Sequence, residues 1–205
     1  MNLPFSEREF LDVFGAYNSA LWPAVLVLWV LTAAVMTQCL VTRRLDGRIV
    51  WSLLAVHWAW SGIVYHWLFF RRINPAALLF GALFVAQALV FAWLAIRSRA
   101  PLVLDGPVRA VAGAALVVYG LIYPFLGLMF GLRYPRLPLF AVPCPTTLVT
   151  AGVLIASTRV PRSAGVIPIV WAVIGSSAAF ALGIRADLAL VVAGAGLALS
   201  LVMRG

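Results

Sequence analysis

The stretch YHWLFFRRINPAALLFG, residues 65–81, separates two long apolar runs and carries the signals that end one helix and begin the next. It contains a tyrosine, a histidine, two adjacent arginines and an Asn-Pro-Ala triplet. Asparagine before a helix and proline at its first position are typical of an ordinary helix start. The sequence therefore predicts that one helix ends near Phe70 and that another begins just after Asn74.

The composition predicts that lipid surrounds these helices. Of the 205 residues, 64% are hydrophobic and 10% are charged, whereas soluble domains are only about 45–50% apolar. The predicted fold class is all-α, a polytopic membrane helical bundle that occupies residues 1–205 as a single transmembrane domain. A bilayer core requires about 20 apolar residues per helix. Seven runs of about this length are predicted as spans: 20–41, 50–70, 76–96, 108–131, 139–157, 166–183 and 187–203.

A short interfacial amphipathic helix is predicted before the first span, over residues 1–18. Ser6 and Glu9 have the spacing of a capping box, and Phe5 and Phe10 have that of a hydrophobic staple. This helix would lie on the membrane surface and lead into the first span near Trp22-Pro23. It would either anchor the chain or cover a site.

The arginines predict the orientation of the chain. All fifteen basic residues are arginine, which is typical of GC-rich bacterial genomes, and they are spread over every loop. This spread favours membrane lipids as partners and argues against nucleic acid. One face carries nine: Arg43, Arg44, Arg48, Arg97, Arg99, Arg109, Arg159, Arg162 and Arg204. The other carries six: Arg8, Arg71, Arg72, Arg133, Arg136 and Arg185. The bias predicts a bacterial inner membrane protein with the N-terminus outside and the C-terminus in the cytoplasm.

A cavity is predicted on the face that carries the N-terminus. With seven spans, loops 71–75, 132–138 and 184–187 all reach that face, and unexplained polar residues collect around them. Polar groups in membrane spans usually face the bundle interior and often mark function. The predicted cavity or ligand-binding residues are Tyr17, Asn18, Tyr65, His66, Arg71, Arg72, Asn74, Tyr123, Tyr134, Thr146 and Thr147.

Cys144 and His66 are the predicted metal ligands. Four prolines bracket Cys144 within residues 133–152, which predicts a non-helical or kinked backbone around the thiol. A soft metal ion would bind Cys144, with His66 as a second ligand, although two ligands make only a weak transit site. The alternative is a rigid re-entry loop in which the cysteine is incidental.

Two cofactors are disfavoured by the sequence. His57 and His66 are nine residues apart, so on an α-helix they would point to opposite sides, and bis-histidine haem within one subunit is not expected. A retinal Schiff base is excluded because the chain has no lysine. His57, Ser61 and Tyr65 form one polar stripe, for which a hydrogen bond between helices is the simpler explanation.

Four segments, AYNSALWP (16–23), YHWLFFRRINPAALLFG (65–81), YPRLPLF (134–140) and PCPTTLVTAG (143–152), resemble a bacterial family of seven-span membrane proteins of unknown function. The resemblance extends over nearly the whole chain. It implies the fold and the membrane location, and it implies no activity, ligand or catalytic residue.

Three functions agree with these observations. The first is transport or binding of a small solute or metal ion through a polar cavity on the N-terminal face, although no Asp or Glu is expected inside a span to relay protons. The second is an integral membrane redox or lipid-modifying enzyme, although no catalytic constellation is visible. The third is an accessory or assembly subunit of a larger membrane complex. A homo-oligomer is also left open.

Overall fold

The computed structural model describes residues 4–98 and 100–204, and it is an all-α bundle of seven helices. Arg99, which was counted for the orientation, lies outside the described residues. The helices are α1 (Glu7–Thr42), α2 (Gly47–Trp60), α3 (Ala77–Arg97), α4 (Pro107–Met129), α5 (Pro143–Ala156), α6 (Val166–Leu182) and α7 (Ala189–Val202). Two-residue strands, β1 (Arg44–Leu45) and β2 (Leu102–Val103), pair antiparallel between helices, with Arg44 opposite Val103.

Six helical segments are long and apolar enough to cross a membrane. The shortest of them, Arg185–Val202, has 18 residues, and it includes a 3₁₀ turn (Arg185–Leu188) before α7. The predicted fifth span, 139–157, differs: only Pro143–Ala156 is helical, and its 14 residues reach about 21 Å. A bilayer core is about 30 Å thick. The start of this predicted span, residues 139–142, instead belongs to a non-helical segment, residues 137–142.

The predicted separation of a surface helix over residues 1–18 from the first span is wrong, because α1 continues unbroken through Pro23. Proline removes one backbone hydrogen bond, and membrane helices tolerate this loss where neighbouring groups compensate. The local signals were correct: the Ser6 hydroxyl accepts from the Glu9 N–H, the Glu9 carboxylate accepts from the Ser6 N–H, and the Phe5 and Phe10 rings lie 5.9 Å apart. The 36 residues of α1 span about 54 Å.

Helix α5 forms the centre of the bundle. Each of its residues except Cys144 is buried, and it packs most extensively against α4 and α7. Glycines permit the contact with α4, since a Cβ added at Gly152 would lie only 2.5 Å from the carbonyl oxygen of Gly113. Small residues at such contacts let two backbones approach closely.

The non-helical segment 137–142 is mostly buried, so its backbone polar groups need partners inside the protein. The Asn18 amide donates to the carbonyl oxygens of Pro135 and Leu137 at 2.6 and 2.7 Å. The hydroxyls of Tyr17 and Ser61 donate to the carbonyl oxygen of Ala141. Side chains of α1 and of the residue that follows α2 thereby hold this segment in place before α5 begins.

Candidate functional site

A cavity of about 190 Å³ lies at the end of the bundle that carries the N-terminus of α1. Its walls come from α1, from the end of the second helical segment, from α3 to α6 and from the turn before α7. Aromatic and aliphatic side chains supply most of the lining, which differs from the polar cavity that the sequence predicted. The hydrogen-bonding side chains in the lining are Tyr65, His66, Asn74, Tyr123, Cys144, Trp171, Ser177 and Asp187.

A wide helical turn positions Tyr65 and His66. Helix α2 continues as a nine-residue π-helix, Ser61–Phe69, and then as a 3₁₀ turn, Phe70–Arg72. π-Helical backbone is rare in proteins, and where it occurs it is often at a functional site. The prediction that His57 and His66 point to opposite sides assumed α-helical spacing between them. That assumption fails, because the backbone is π-helical from Ser61 onward. Both histidines are buried, at 2% and 0% exposure.

His66 presents an unused acceptor in an aromatic environment. Its Nδ1 lies 2.8 Å from the carbonyl oxygen of Ser61, and because a carbonyl only accepts, Nδ1 carries the hydrogen. In the neutral ring, Nε2 is then an acceptor, and it has no hydrogen-bond partner in the described part of the chain. The rings of Phe84 and Trp171 lie 4.9 and 5.2 Å from the imidazole. The indole N–H of Trp171 also lacks a partner among those residues.

Asp187 is the polar group of the cavity that sequence reasoning missed. It lies in the 3₁₀ turn Arg185–Leu188, is 6% exposed, and accepts a hydrogen bond from the hydroxyl of Tyr123. The thiol of Cys144 lies near the same carboxyl group, on the wall of the same cavity. The signal was present in the sequence, since Asp187 is the only acidic residue after Asp105 and immediately precedes an apolar run.

Cys144 occupies the first turn of α5, so the predicted non-helical or kinked backbone at this residue is corrected. Proline is well tolerated in the first helical turn, where its missing N–H would have no partner within the helix. Pro143 and Pro145 therefore start α5 and do not break it. The irregular backbone lies just before them, in residues 137–142.

The predicted site residues fall into three groups. Tyr65, His66, Asn74, Tyr123 and Cys144 line the cavity. Four residues are buried outside its lining: Tyr17, Asn18 and Thr146 form hydrogen bonds to other parts of the bundle, and Thr147 donates to the Pro143 carbonyl oxygen of its own helix. Arg71, Arg72 and Tyr134 are exposed on the surface and contribute nothing to the lining.

Asn74 also has the predicted role at a helix start. Its side-chain oxygen accepts a hydrogen bond from the N–H of Ala76 at 3.0 Å, and its carbonyl oxygen accepts from the N–H of Ala77. The turn formed by Pro75 and Ala76 leads directly into α3. The interpretation of residues 65–81 as a junction between two helices is thus confirmed.

The metal site predicted at His66 and Cys144 stays a prediction. Within residues 4–98 and 100–204, no three His, Cys, Asp or Glu side chains are grouped so that they could hold a metal ion. His66 and Cys144 line one cavity, which keeps them available as a two-ligand site. Two protein ligands bind a metal only weakly.

The fold and the site together define a class, namely all-α multi-helix proteins with six helices long and apolar enough to cross a membrane and an aromatic-lined cavity at one end. This chain belongs to the family described as a family of unknown function (DUF6064), whose model matches residues 7–204. The family resemblance that the sequence motifs indicated is thereby confirmed. No curated protein and no solved structure matches the chain significantly.

Proposed function

We propose that this protein is a multi-pass membrane protein that binds a small, largely apolar molecule in the cavity beside His66. The observation that carries the proposal is the combination of an aromatic-lined cavity with a buried, unpartnered acceptor at His66 Nε2. Ligand sites in proteins are mostly apolar, with a few polar groups that orient the ligand. An unpartnered buried polar atom is costly, and a ligand with a hydrogen-bonding end would remove this cost.

The size of the cavity limits the ligand. Its volume is about 190 Å³, and an engineered apolar cavity of about 150 Å³ is large enough for benzene. The ligand we propose is therefore about as large as one substituted aromatic ring. A complete phospholipid is too large for this volume, although a short part of an acyl chain would fit.

Binding is better supported than passage through the bundle. Beyond His66, the ring of Phe84 stacks on Trp58 with their centroids 4.3 Å apart, and both side chains are buried. Deeper still, Trp58 donates to the hydroxyl of Thr150 at 2.9 Å. Transport would require this packed layer to open, so a site accessible from one end is the simpler function.

The proposed location is the bacterial inner membrane, with the cavity on the outer side. The six apolar helices support a membrane location. The face that carries the cavity has six arginines and the opposite face has nine. Since cytoplasmic loops carry the excess of arginine, the cavity is placed on the outer side. A ligand would then enter from the outside or from the outer leaflet, past Phe5 and Phe10 near the start of α1, both of which line the cavity.

One observation favours the enzyme alternative, and another argues against it. Cys144, Tyr123 and Asp187 converge at the cavity wall, which places a thiol beside a carboxyl group. The arginines that were expected to assist such chemistry, Arg71 and Arg72, are exposed on the surface. An accessory role in a larger complex and a homo-oligomer stay predictions.

Cysteine labelling tests the proposal directly. Cys144 lines the cavity, whereas Cys39 lies in a separate pocket bounded by Met36 and Val50. We expect saturating benzyl alcohol to slow alkylation of Cys144 by a small maleimide in the detergent-solubilised Cys39→Ser variant. Alkylation of Cys39 in the Cys144→Ser variant is the matched control and should be unchanged. Equal labelling of Cys144 with and without any small aromatic ligand would contradict the proposal.

A further inference from the structure

The buried carboxyl group of Asp187 forms no salt bridge within the described residues. The basic residue nearest in sequence, Arg185, is exposed. None of the arginines that the structure describes contributes to the cavity lining, and the chain has no lysine.

The hydrogen bonds to Asp187 account for only part of its capacity. A carboxylate offers about four lone-pair positions, and the hydroxyl of Tyr123 occupies one of them. Buried charges in proteins are normally paired, because an isolated ion in an apolar environment is very costly. A cation supplied from outside the chain would complete this site.

The aromatic lining favours the same kind of ligand. The rings of Phe70, Phe80, Tyr65 and Trp171 all contribute to the cavity wall. An ammonium or quaternary ammonium group over an aromatic face is attracted by the ring quadrupole, and more strongly when water is excluded. A carboxyl group and several aromatic faces around one cavity are together suited to a cation that carries an apolar body.

We propose that the ligand is a small lipophilic ammonium cation, whose charged nitrogen binds Asp187 and whose apolar part occupies the aromatic cavity. This inference rests on the proposed function, since it names the chemical class of the same ligand. Asp187 would be the residue that determines specificity for the cation. His66 Nε2 offers a further acceptor on the cavity wall for an ammonium N–H.

The test uses three probes of nearly equal size: benzylammonium, neutral benzyl alcohol and anionic benzoate. Their dissociation constants are measured by titration of the detergent-solubilised full chain at about pH 7, where the amine is protonated. We expect benzylammonium to bind about tenfold tighter than benzyl alcohol or better, and benzoate to bind weakest. Because the comparison is made on the unmodified protein, it does not depend on the folding of a variant.

Two variants then assign the preference to one residue. Asp187→Asn should abolish the preference for benzylammonium, so that the dissociation constants of benzylammonium and benzyl alcohol come within about twofold of each other. Glu7→Gln, at an exposed acid on the same end of the molecule, should leave all three constants unchanged. Equal binding of benzylammonium and benzyl alcohol, or an undiminished preference in folded Asp187→Asn, would overturn this inference alone. Failure of all three probes to bind would overturn the proposed function with it.

Discussion

The hydroxyl of Tyr123 on α4 donates a hydrogen bond to the carboxyl group of Asp187, which lies 64 residues later in the turn before α7. Both residues line the cavity, so this contact closes one wall of the site. Tyr119, one turn earlier on α4, donates to the carbonyl oxygen of Ala186 at 2.9 Å. The two tyrosines together attach the turn Arg185–Leu188 to α4.

Replacement of Tyr123 by phenylalanine should therefore destabilise the protein. The change removes one donor to a buried carboxyl group, and we expect a loss of about 1–2 kcal/mol. The measurement is thermal unfolding in detergent, followed by circular dichroism. Tyr134→Phe is the matched control, because Tyr134 is 56% exposed. An equal effect of the two substitutions would contradict a stabilising role for the Tyr123 hydroxyl.

Loss of the hydrogen bond between Thr32 and His57 should lower the free energy of unfolding by less than the change at Tyr123. The Thr32 hydroxyl donates to the Leu28 carbonyl oxygen, so it accepts from His57 Nε2, 2.7 Å away. Thr32→Val keeps the side-chain shape and leaves the buried imidazole N–H unpartnered. We expect a loss of about 0.6 kcal/mol, the average for such bonds between membrane helices. Thr37→Val, at an exposed position on the same helix, should cause no comparable loss.

Close packing between α4 and α5 predicts that Gly152→Ala is strongly destabilising. The added Cβ would lie 2.5 Å from the Gly113 carbonyl oxygen and 2.9 Å from the backbone nitrogen of Val117. Overpacking of this kind costs about 1–3 kcal/mol. Gly127→Ala is the control, since its new Cβ would find its nearest neighbour at 3.7 Å. Unchanged unfolding temperatures in both variants would show that α4 and α5 are less closely packed.

The stability of the protein should depend on pH through Asp105, which lies in the connection before α4. Hydrogen bonds from the Gly106 N–H and from Arg109 lower the pKa of Asp105 below its ordinary value of 3.8. A pKa that is lower in the folded state stabilises the protein above the unfolded-state pKa, and this stabilisation is lost as the pH falls through the folded-state pKa.

Asp105→Asn should accordingly unfold at a lower temperature than the wild type at about pH 7. The difference should shrink as the pH is lowered below 3.8, where Asp105 gains its proton in the wild type. Unfolding temperatures of both proteins in detergent, measured across this range, test the prediction. Other acids titrate equally in both proteins, so a difference that stays constant with pH would count against the role of Asp105.

Metal content tests the prediction that His66 and Cys144 form a weak transit site. Because only two ligands are offered, we expect any bound metal to be removed by dialysis against a chelator. Elemental analysis and an absorption spectrum of the purified protein, beside His66→Ala and Cys144→Ser, provide the measurement. A stoichiometric metal that survives dialysis and is absent from both variants would establish a stronger site than the geometry supports.

Much of the fold was predictable from local sequence. The lengths of the apolar runs located six helices to within a few residues, because a bilayer requires about 20 apolar residues per crossing. The capping box at Ser6 and the helix start at Asn74 were also predictable. Each depends on residues only two or three positions apart, and such contacts form whatever the rest of the chain does.

Much less of the site was predictable. Asn18 and Tyr17 were expected in the cavity, yet they hold the non-helical segment before α5. Arg71 and Arg72 were expected there too, but long cationic side chains remain at the surface, where water or lipid phosphate solvates them. Spacing along one helix does not show which neighbour a side chain meets, so only packing could separate these roles.

The sequence alone determined the class of the protein, most of its helix boundaries and its family, because apolar length, capping residues and motifs are properties of short stretches of chain. Only the tertiary structure showed that α5 is the buried centre, that a π-helix carries Tyr65 and His66, and that Asp187 meets Tyr123 and Cys144. These features depend on contacts between residues distant in sequence. Such contacts form only when several helices pack together, and no local pattern encodes them.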